Sequence, residues 1–448
     1  MPAVLETMDN NTDWYISSFK QLEGELAEDS TADLRRAALA RFDELGFPDS
    51  EDEAWRYTNL GGINQHQFHP AGPADVERVK NDQIEAFRIA DACCELVFVN
   101  GIYAPGLSRT ASLPAGLSAN NLADVWCRNS SDVDKYLAKY AHYYDNAFTS
   151  LNTAFMRDGA FVQIADSAQI TQPIHLLFIS DPDDNPTFTH PRTLIVAGVN
   201  SHAAVVESFF STSEKPCLNI PVIECVLASG ASMDHYKVQQ EAPQSIHIGV
   251  QHAYLQRDCR FSDNNITLGA ALTRNESSIV LDGEGSHCDL NGLYLPDCEE
   301  HVDNYTLIEH AKPHCTSHEL YKGILGGKSR GVFRGRIHVH EDAQKTDAIQ
   351  ANRNLLLSDQ ADINTKPQLE IYADDVKCTH GATIGQIDDD AIFYLRSRGI
   401  GEQLARHMLI QAFSGEILDL IKIETLRDDL QLRVHEKLEA AFHRLEQS

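Results

Sequence analysis

Three groups of closely spaced histidines are the candidates for chemistry in this sequence. The first is His338 with His340 in GRIHVHED. Because side chains alternate along a strand, both imidazoles would lie on one face. Cupin-type β-barrel metalloenzymes begin a metal site with such a pair, and Glu341 follows directly, on the opposite face if the strand continues. We favour two polar residues on a solvated strand face, because most histidine pairs are not metal ligands.

The second group is His310, His314, Cys315 and His318 in EHAKPHCTSHEL. The close spacing of these four potential ligands suggests a zinc site. Pro313 argues against one continuous helix through the group, so the four side chains need not share a face. We favour an ordinary corner between β-strands, with histidines held by hydrogen bonds.

The third group is Cys378 and His380 in DDVKCTHGATIGQ, where β-rich sequence gives way to helical sequence. The two side chains share a face if the strand extends that far, and Gly381, Ala382 and Thr383 would let another chain approach closely. A thiol and an imidazole suit iron or zinc, but two ligands cannot close a four-coordinate site. Either the pair is structural or another subunit supplies the missing ligands, and the pattern leaves both open.

Motifs and charge exclude several functional classes. The sequence contains no GxxxxGK[ST], no GxGxxG after a strand and no GxSxG, which removes the usual support for nucleotide binding or serine hydrolysis. With 37 Lys and Arg against 66 Asp and Glu, the net charge of -29 argues against nucleic acid as a partner. The 10 cysteines are scattered without a CxxC pair, so neither a disulfide scaffold nor a closed zinc site is expected.

Membrane and export signals are not expected either. No run approaches the roughly 18 apolar residues of a spanning helix. The start MPAVLETMDNNTDWY lacks the basic flank and apolar centre of a signal peptide. These features predict a soluble protein of the cytoplasm, without a membrane partner.

The 448 residues divide into three regions by sequence texture. Residues 1–155 look mainly helical, with helical patterns at 31–46, closing on Gly46, and at 131–148, and one strand at 93–101. Residues 156–386 are short β-rich runs without intervening helices, and 387–448 return to helix. The stretch 401–423 carries a wide apolar stripe that requires a cover, for which a partner subunit is a serious candidate.

The β-rich region fits a sandwich, an antiparallel barrel or a parallel β-helix. Consecutive apolar residues in AAVVESFF (203–210) and PVIECVLA (221–228) indicate strands covered on both faces. Because no exact repeat is present, the residues alone favour a solenoid only weakly.

Beyond spacing, the long run KTDAIQANRNLLLSDQADINTKPQLEIYADDVKCTHGATIGQIDDDAIFYLRSRGI (345–400) closely resembles the SufB/SufD family of the SUF iron–sulfur cluster assembly system. Supporting matches are GFPDSEDEAWRYTNL (46–60), FVNGIY (98–103), LNTAFMRDGAFVQI (151–164) and HELYKGIL (318–325). SufB-like chains carry a close Cys motif near the N-terminus and a Glu-His-Glu-Ala run. The first is absent here and the second reads Thr379-His380-Gly381-Ala382, so the resemblance is to the SufD branch.

The resemblance implies a right-handed parallel β-helix core flanked by N-terminal and C-terminal helical regions. It also implies a non-catalytic scaffold that pairs with SufB through the β-helix ends and, with two SufC ATPases, forms a SufB–SufC2–SufD complex. His380 would be a ligand of the nascent iron–sulfur cluster at the SufB interface, opposite a Cys of SufB, and Cys378 is a weaker candidate. The cluster would bind transiently in the complex, and no cofactor is expected in the isolated chain.

The C-terminal helices would hold SufC, through a docking region that we assign to Phe393, Tyr394, Arg398, Leu404, Met408 and Phe413. Two other functions remain open. One is a cupin-like metalloenzyme using His338 and His340. The other is a structural β-helix homodimer, because an isolated chain of this kind would expose the surface meant for SufB.

Overall fold

The computed structural model describes residues 12–24, 31–128 and 130–447. Residues 1–11, which contain most of the segment that argues against a signal peptide, lie outside these ranges. Across the described residues, no helix combines the length and the apolar character needed to cross a membrane.

Helices occupy both ends of the described chain. Short 3-10 turns lie at Glu53–Trp55, Pro73–Arg78 and Glu85–Phe87. The α-helices are α1 (Thr12–Glu23), α2 (Ala32–Leu45), α3 (Gly61–Asn64), α4 (Asn81–Ile84), α5 (Leu122–Arg128), α6 (Ser130–Asp134), α7 (Ala147–Phe155), α8 (Asp389–Ser397), α9 (Glu402–Leu418) and α10 (Glu424–Gln447).

Strands fill the middle of the chain. They are β1 (His69–Pro70), β2 (Cys94–Val99), β3 (Ile102–Tyr103), β4 (Leu117–Asn121), β5 (Gly159–Ile164), β6 (Ile174–Ser180), β7 (Thr187–Thr189), β8 (Arg192–Ala197), β9 (His202–Ser211), β10 (Cys217–Asn219), β11 (Val222–Leu227), β12 (Ser232–Gln240), β13 (Ile246–Leu255), β14 (Arg260–Gly269), β15 (Leu272–Leu281), β16 (His287–Tyr294), β17 (His301–His310), β18 (Thr316–Leu325), β19 (Arg330–Val339), β20 (Asp347–Leu356), β21 (Asp362–Ile371) and β22 (Lys377–Gly385).

From β5 to β22 the strands form a parallel solenoid of eight coils, counted over the described residues. Each coil gives one strand to sheet A, in the order β5-β8-β11-β13-β15-β17-β19-β21, and the next to sheet B, in the order β6-β9-β12-β14-β16-β18-β20-β22. Paired residues are 26 positions apart between Ile246 and Leu272 but 32 apart between Arg330 and Asp362. The predicted parallel β-helix between helical regions is therefore confirmed, and the changing coil length explains why no exact repeat is visible.

The core lies between the two sheets, where inward side chains stack in register. One ladder on sheet A is apolar throughout, and burial of each large aliphatic member contributes roughly 1.5–3 kcal/mol. Its members are Val162, Ile195, Cys225, Ala253, Ile279, Ile308 and Ile337.

The two ends of the solenoid differ. At the first coil, β4 pairs antiparallel with β5, and β2 with its hairpin partner β3 adds to β6. At the last coil, β21 pairs with β19 and β22 pairs with β20, and neither strand has a second partner among the described residues. We call the end formed by β21 and β22 the open end.

Each helical region covers the outer face of one sheet, the N-terminal region that of sheet A and the C-terminal region that of sheet B. Tyr15 of α1, Phe42 of α2 and Phe148 of α7 pack in one buried cluster with Ile246 and Ile248 of sheet A. Helix α2 ends as predicted, because Gly46 adopts a φ of 64° and its N–H donates to the carbonyl of Phe42.

The C-terminal helices lie on the outer face of sheet B. Ile417 of α9 and Leu430 of α10 belong to one buried cluster with Ile266 and Leu293 of that sheet. The chain itself therefore covers Ile417 and Ile421 of the apolar stripe at 401–423. Leu404, Met408 and Leu420 of the same stripe stay exposed, so a partner subunit as their cover stays a prediction.

The helix predicted over 131–148 is wrong for most of its length. Helix α6 stops at Asp134, Ala138 has a φ of 56°, and α7 begins only at Ala147. The carboxylate of Glu224 accepts the backbone N–H groups of Ala138, Tyr140 and Ala141 at 2.8 to 3.1 Å. These bonds satisfy the backbone donors without a helix.

Candidate functional site

Strand β22 presents Cys378 and His380 at the open end. Cys378 is in register with Ala348 of β20, and His380 is in register with Gln350. Cys378 packs against the solenoid interior, so the side chain two positions later belongs to the same face. The structure thus gives the pair the shared face that its spacing predicts.

Cys378 is half-buried, and its chemistry is that of a thiol rather than a thiolate. Burial raises the pKa of Cys378, and the nearby carboxylate of Asp347 raises it further. Because the thiolate is the form that binds metals, Cys378 is the weaker donor of the pair.

His380 is exposed, although it lies on the inward face, because no further coil covers it. Within the described residues, its ring has no hydrogen-bond or ion-pair partner. A side chain added at the next residue, Gly381, would meet open space. An imidazole in this position is free to bind a metal that arrives from outside the solenoid.

A polar column continues from His380 into the solenoid. Gln350 is buried and donates from Nε2 to Oε2 of Glu319 at 2.6 Å, and Thr306 donates to Oε1 of the same carboxyl group. Burial raises the pKa of Glu319 to about 7, against the opposing effect of these hydrogen bonds. Sequence reasoning missed this column, although polar residues at inward positions of apolar strands were a visible signal.

The residues assigned to a docking region on the C-terminal helices do not share one environment. Phe393, Tyr394, Leu404 and Met408 are large apolar side chains that remain exposed. Arg398 is also exposed and lies over the ring of Tyr394, 5.0 Å from its centroid. These five residues form what we call the helix surface.

Phe413 lies elsewhere. It is half-buried against sheet B, with Nζ of Lys322 4.2 Å from its ring centroid and 2.9 Å from its carbonyl oxygen. Its contacts are those of a residue that fastens α9 to the solenoid.

His338 and His340 do not meet a common carboxylate. His338 lies 3.2 Å from Glu370, whereas His340 lies 3.4 Å from Glu309. His338 is on the outer face of sheet A, since its neighbours Ile337 and Val339 are in the core. The strands around the pair belong to a parallel solenoid, whereas a cupin site requires an antiparallel barrel. The fold therefore does not support the cupin-like interpretation.

The dense group at 310–318 is divided among three environments. His310 is buried and its Nε2 lies 2.9 Å from Oγ of Ser317, and Cys315 is buried in the core. His314 is exposed in the turn before β18, and His318 is exposed on the outer face of sheet B. These four residues do not converge on one ion.

Comparison with known proteins places the chain in a family. The model of the SUF system FeS cluster assembly SufBD core domain matches residues 178–413, and that of the SufBD protein N-terminal region matches residues 9–176. An iron–sulfur cluster assembly SufBD family protein of Synechocystis is 34% identical over 89% of each chain. The iron–sulfur cluster assembly protein SufD of Escherichia coli is 33% identical over 88% of this chain and 90% of its own, and that of Bacillus subtilis is 25% identical over 95% and 97%. With over half of its length matched by the core-domain model, the chain belongs to the SufBD family of the SUF iron–sulfur cluster assembly system.

Proposed function

We propose that this chain is a non-catalytic scaffold subunit of a SufB–SufC2–SufD complex, in which His380 supplies an imidazole ligand to a nascent iron–sulfur cluster shared with SufB. The observation that carries the proposal is the exposed, unpartnered His380 on the outermost strand of the open end.

The open end is suited to a partner that continues the two sheets. Strands β21 and β22 are 10 and 9 residues long and each offers one unpaired edge, a template for pairing with another chain. Ile371 and Ile384 are exposed there, at 39% and 49%. A SufB chain that added its own strands would cover these apolar side chains and enclose His380.

The donor chemistry fits a cluster that must later leave. A neutral imidazole binds iron more weakly than a thiolate, so a site shared between His380 and a partner's thiolate holds iron only while the interface is closed. Cys378 is a second donor of lower rank, because its raised pKa favours the thiol. The isolated chain is expected to hold no iron–sulfur cluster.

The helix surface is the proposed contact for SufC. Its exposed aromatic and aliphatic side chains, with Arg398 stacked on Tyr394, have the composition of protein interface cores. Phe413 would act indirectly, by fixing α9 against sheet B.

A location in the cytoplasm stays a prediction.

Co-purification with SufB and SufC, followed by anaerobic reconstitution and spectroscopy, tests the proposal. We expect His380→Ala to fold and to bind both partners but to lose cluster assembly. His340→Ala is the matched control, since it removes another exposed imidazole outside the open end. Replacing Phe393 by Ser should weaken SufC binding alone.

Two results would contradict the proposal at different levels. Normal cluster assembly by His380→Ala would remove the ligand role and leave the scaffold. Failure of the wild-type chain to co-purify with SufB and SufC would remove the scaffold role itself.

A further inference from the structure

A second group of metal-binding side chains lies on the outer face of sheet B, away from the open end. It joins His287 and Asp289 of β16 to His318 of the neighbouring strand β18. Cys288 and Leu290, the alternating residues of β16, are buried in the core, so His287 and Asp289 point outward. Strand register then aligns His318 with Asp289.

The distances between the donor atoms suit one ion. Nε2 of His287 lies 2.9 Å from Oδ2 of Asp289, and Nδ1 of His318 lies 3.5 Å from Oδ1 of the same carboxylate. All three ligand atoms lie within 4.8 Å of one another. With metal–ligand bonds of about 2.0 to 2.2 Å, two ligands of one ion are about 3.0 to 3.4 Å apart, so little movement is required.

Thr316 orients the His287 ring. Its Oγ1 lies 2.6 Å from Nδ1 of His287. Without a metal, Nε2–H of His287 donates to Asp289 and Nδ1 accepts from the hydroxyl. With a metal on Nε2, the proton resides on Nδ1 and donates to the same hydroxyl. A hydroxyl can serve in both states, as the supporting residues of metal-bound histidines do.

We propose that His287, Asp289 and His318 bind one divalent transition-metal ion, with solvent completing its coordination. Two imidazoles and one carboxylate suit ions such as Zn²⁺ and Fe²⁺, whereas Mg²⁺ and Ca²⁺ require a shell of oxygen ligands. Side chains between 22% and 53% exposed leave the site accessible from solvent. The two strands hold the ligands on a rigid framework.

This site is separate from the proposed cluster ligand. His318 lies two strands from β22, and it faces outward whereas His380 faces inward. The metal-site proposal therefore does not depend on the scaffold proposal, and substitutions at one site leave the other intact.

Anaerobic Co²⁺ titration of the metal-free full chain, followed by visible absorption, tests the site. We expect one Co²⁺ per chain at this site, with bands of nitrogen and oxygen ligands and no thiolate charge-transfer band. His287→Ala and His318→Ala should weaken binding at least about 10- to 100-fold. Thr316→Val keeps all three ligands and should weaken binding roughly 10-fold, which a merely structural role would not do.

His338→Ala is the matched control, because it removes an outward-facing histidine beside a carboxylate on the other sheet. Competition tests the class of ion: displacement of Co²⁺ by Zn²⁺ supports a site for divalent transition metals. Displacement by Mg²⁺, a thiolate spectrum, or unchanged Co²⁺ binding in His287→Ala and His318→Ala would overturn the proposal.

Discussion

At the scale of single residues, His310 interrupts an otherwise apolar ladder of the core. It is in register with Leu281 on one side and Val339 on the other, and both of these are fully buried. Burial lowers the pKa of His310 to about 4. The folded protein therefore keeps this imidazole neutral at pH values where the unfolded chain protonates it.

The sign of the resulting pH dependence follows from linkage. Between about pH 6.5 and 4 the unfolded chain binds a proton at His310 that the folded chain does not, so acidification lowers the free energy of unfolding. The contribution of this one residue reaches about 3 kcal/mol at the acid end of the window.

We predict that His310→Leu flattens the pH dependence of stability. The substitution restores an apolar ladder and removes the proton uptake, although Ser317 loses its partner at a cost of about 1 kcal/mol. Urea unfolding across the same pH window measures the slope. His314→Asn is the control: His314 is exposed and has a φ of 59°, which Asn tolerates. An unchanged slope in His310→Leu would refute this account of the core.

At the scale of elements, packing rather than helix propensity holds α10 to sheet B. Leu430 is fully buried in the cluster between α10 and the outer face of sheet B, whereas Leu432 is 55% exposed. Lys437 also anchors the helix, through Nζ at 2.7 Å from Glu300. The two leucines share a helix and a chemistry but differ in burial.

Leu430→Ala should therefore destabilise the C-terminal helices by about 2–5 kcal/mol. Leu432→Ala should stay within about 0.5 kcal/mol of wild type. Denaturant unfolding followed by far-ultraviolet circular dichroism, with limited proteolysis to detect detachment of α10, compares the two variants. Equal effects would mean that sheet B is not what secures the helix.

The sequence predicts those elements whose causes are local. The end of α2 at Gly46 is predicted because it depends on neighbouring residues: the N–H of Gly46 donates to the carbonyl of Phe42, four positions earlier. The segment at 131–148 departs from its helical pattern because Glu224, more than eighty positions away, accepts its N–H groups. Burial alone would raise the pKa of Glu224, but Arg192 and these donors outweigh it and keep the carboxylate charged.

The candidate sites divide in the same way. Period-two spacing predicts the shared face of Cys378 and His380, and the resemblance to the SufB/SufD family supplies the suggestion of a partner. Asp289 and His318 stand 29 positions apart, and only the register between β16 and β18 brings them together. Coil length varies along the solenoid, so no regular period could have revealed that contact.

At the scale of the whole molecule, strong negative charge opposes self-association through the open end. Two copies that each carry -29 repel one another, and at physiological ionic strength this repulsion is screened beyond about 8 Å. The open end, in contrast, offers unpaired strand edges and exposed Ile371 and Ile384. Salt weakens the repulsion and leaves the apolar attraction, so the balance between monomer and homodimer depends on ionic strength.

We predict that the isolated chain self-associates more strongly as salt increases, and that Ile384→Lys prevents it, because a lysine on an edge strand opposes pairing with another edge. Leu432→Lys is matched to it in charge change and starting exposure, and it lies on α10 away from the open end. Sedimentation velocity at low and high salt separates the outcomes. If Leu432→Lys prevented association as well, the reduced negative charge or another surface would be responsible. If Ile384→Lys left association intact, the open end could not be the homodimer interface, and its exposed edges would be left for a different partner.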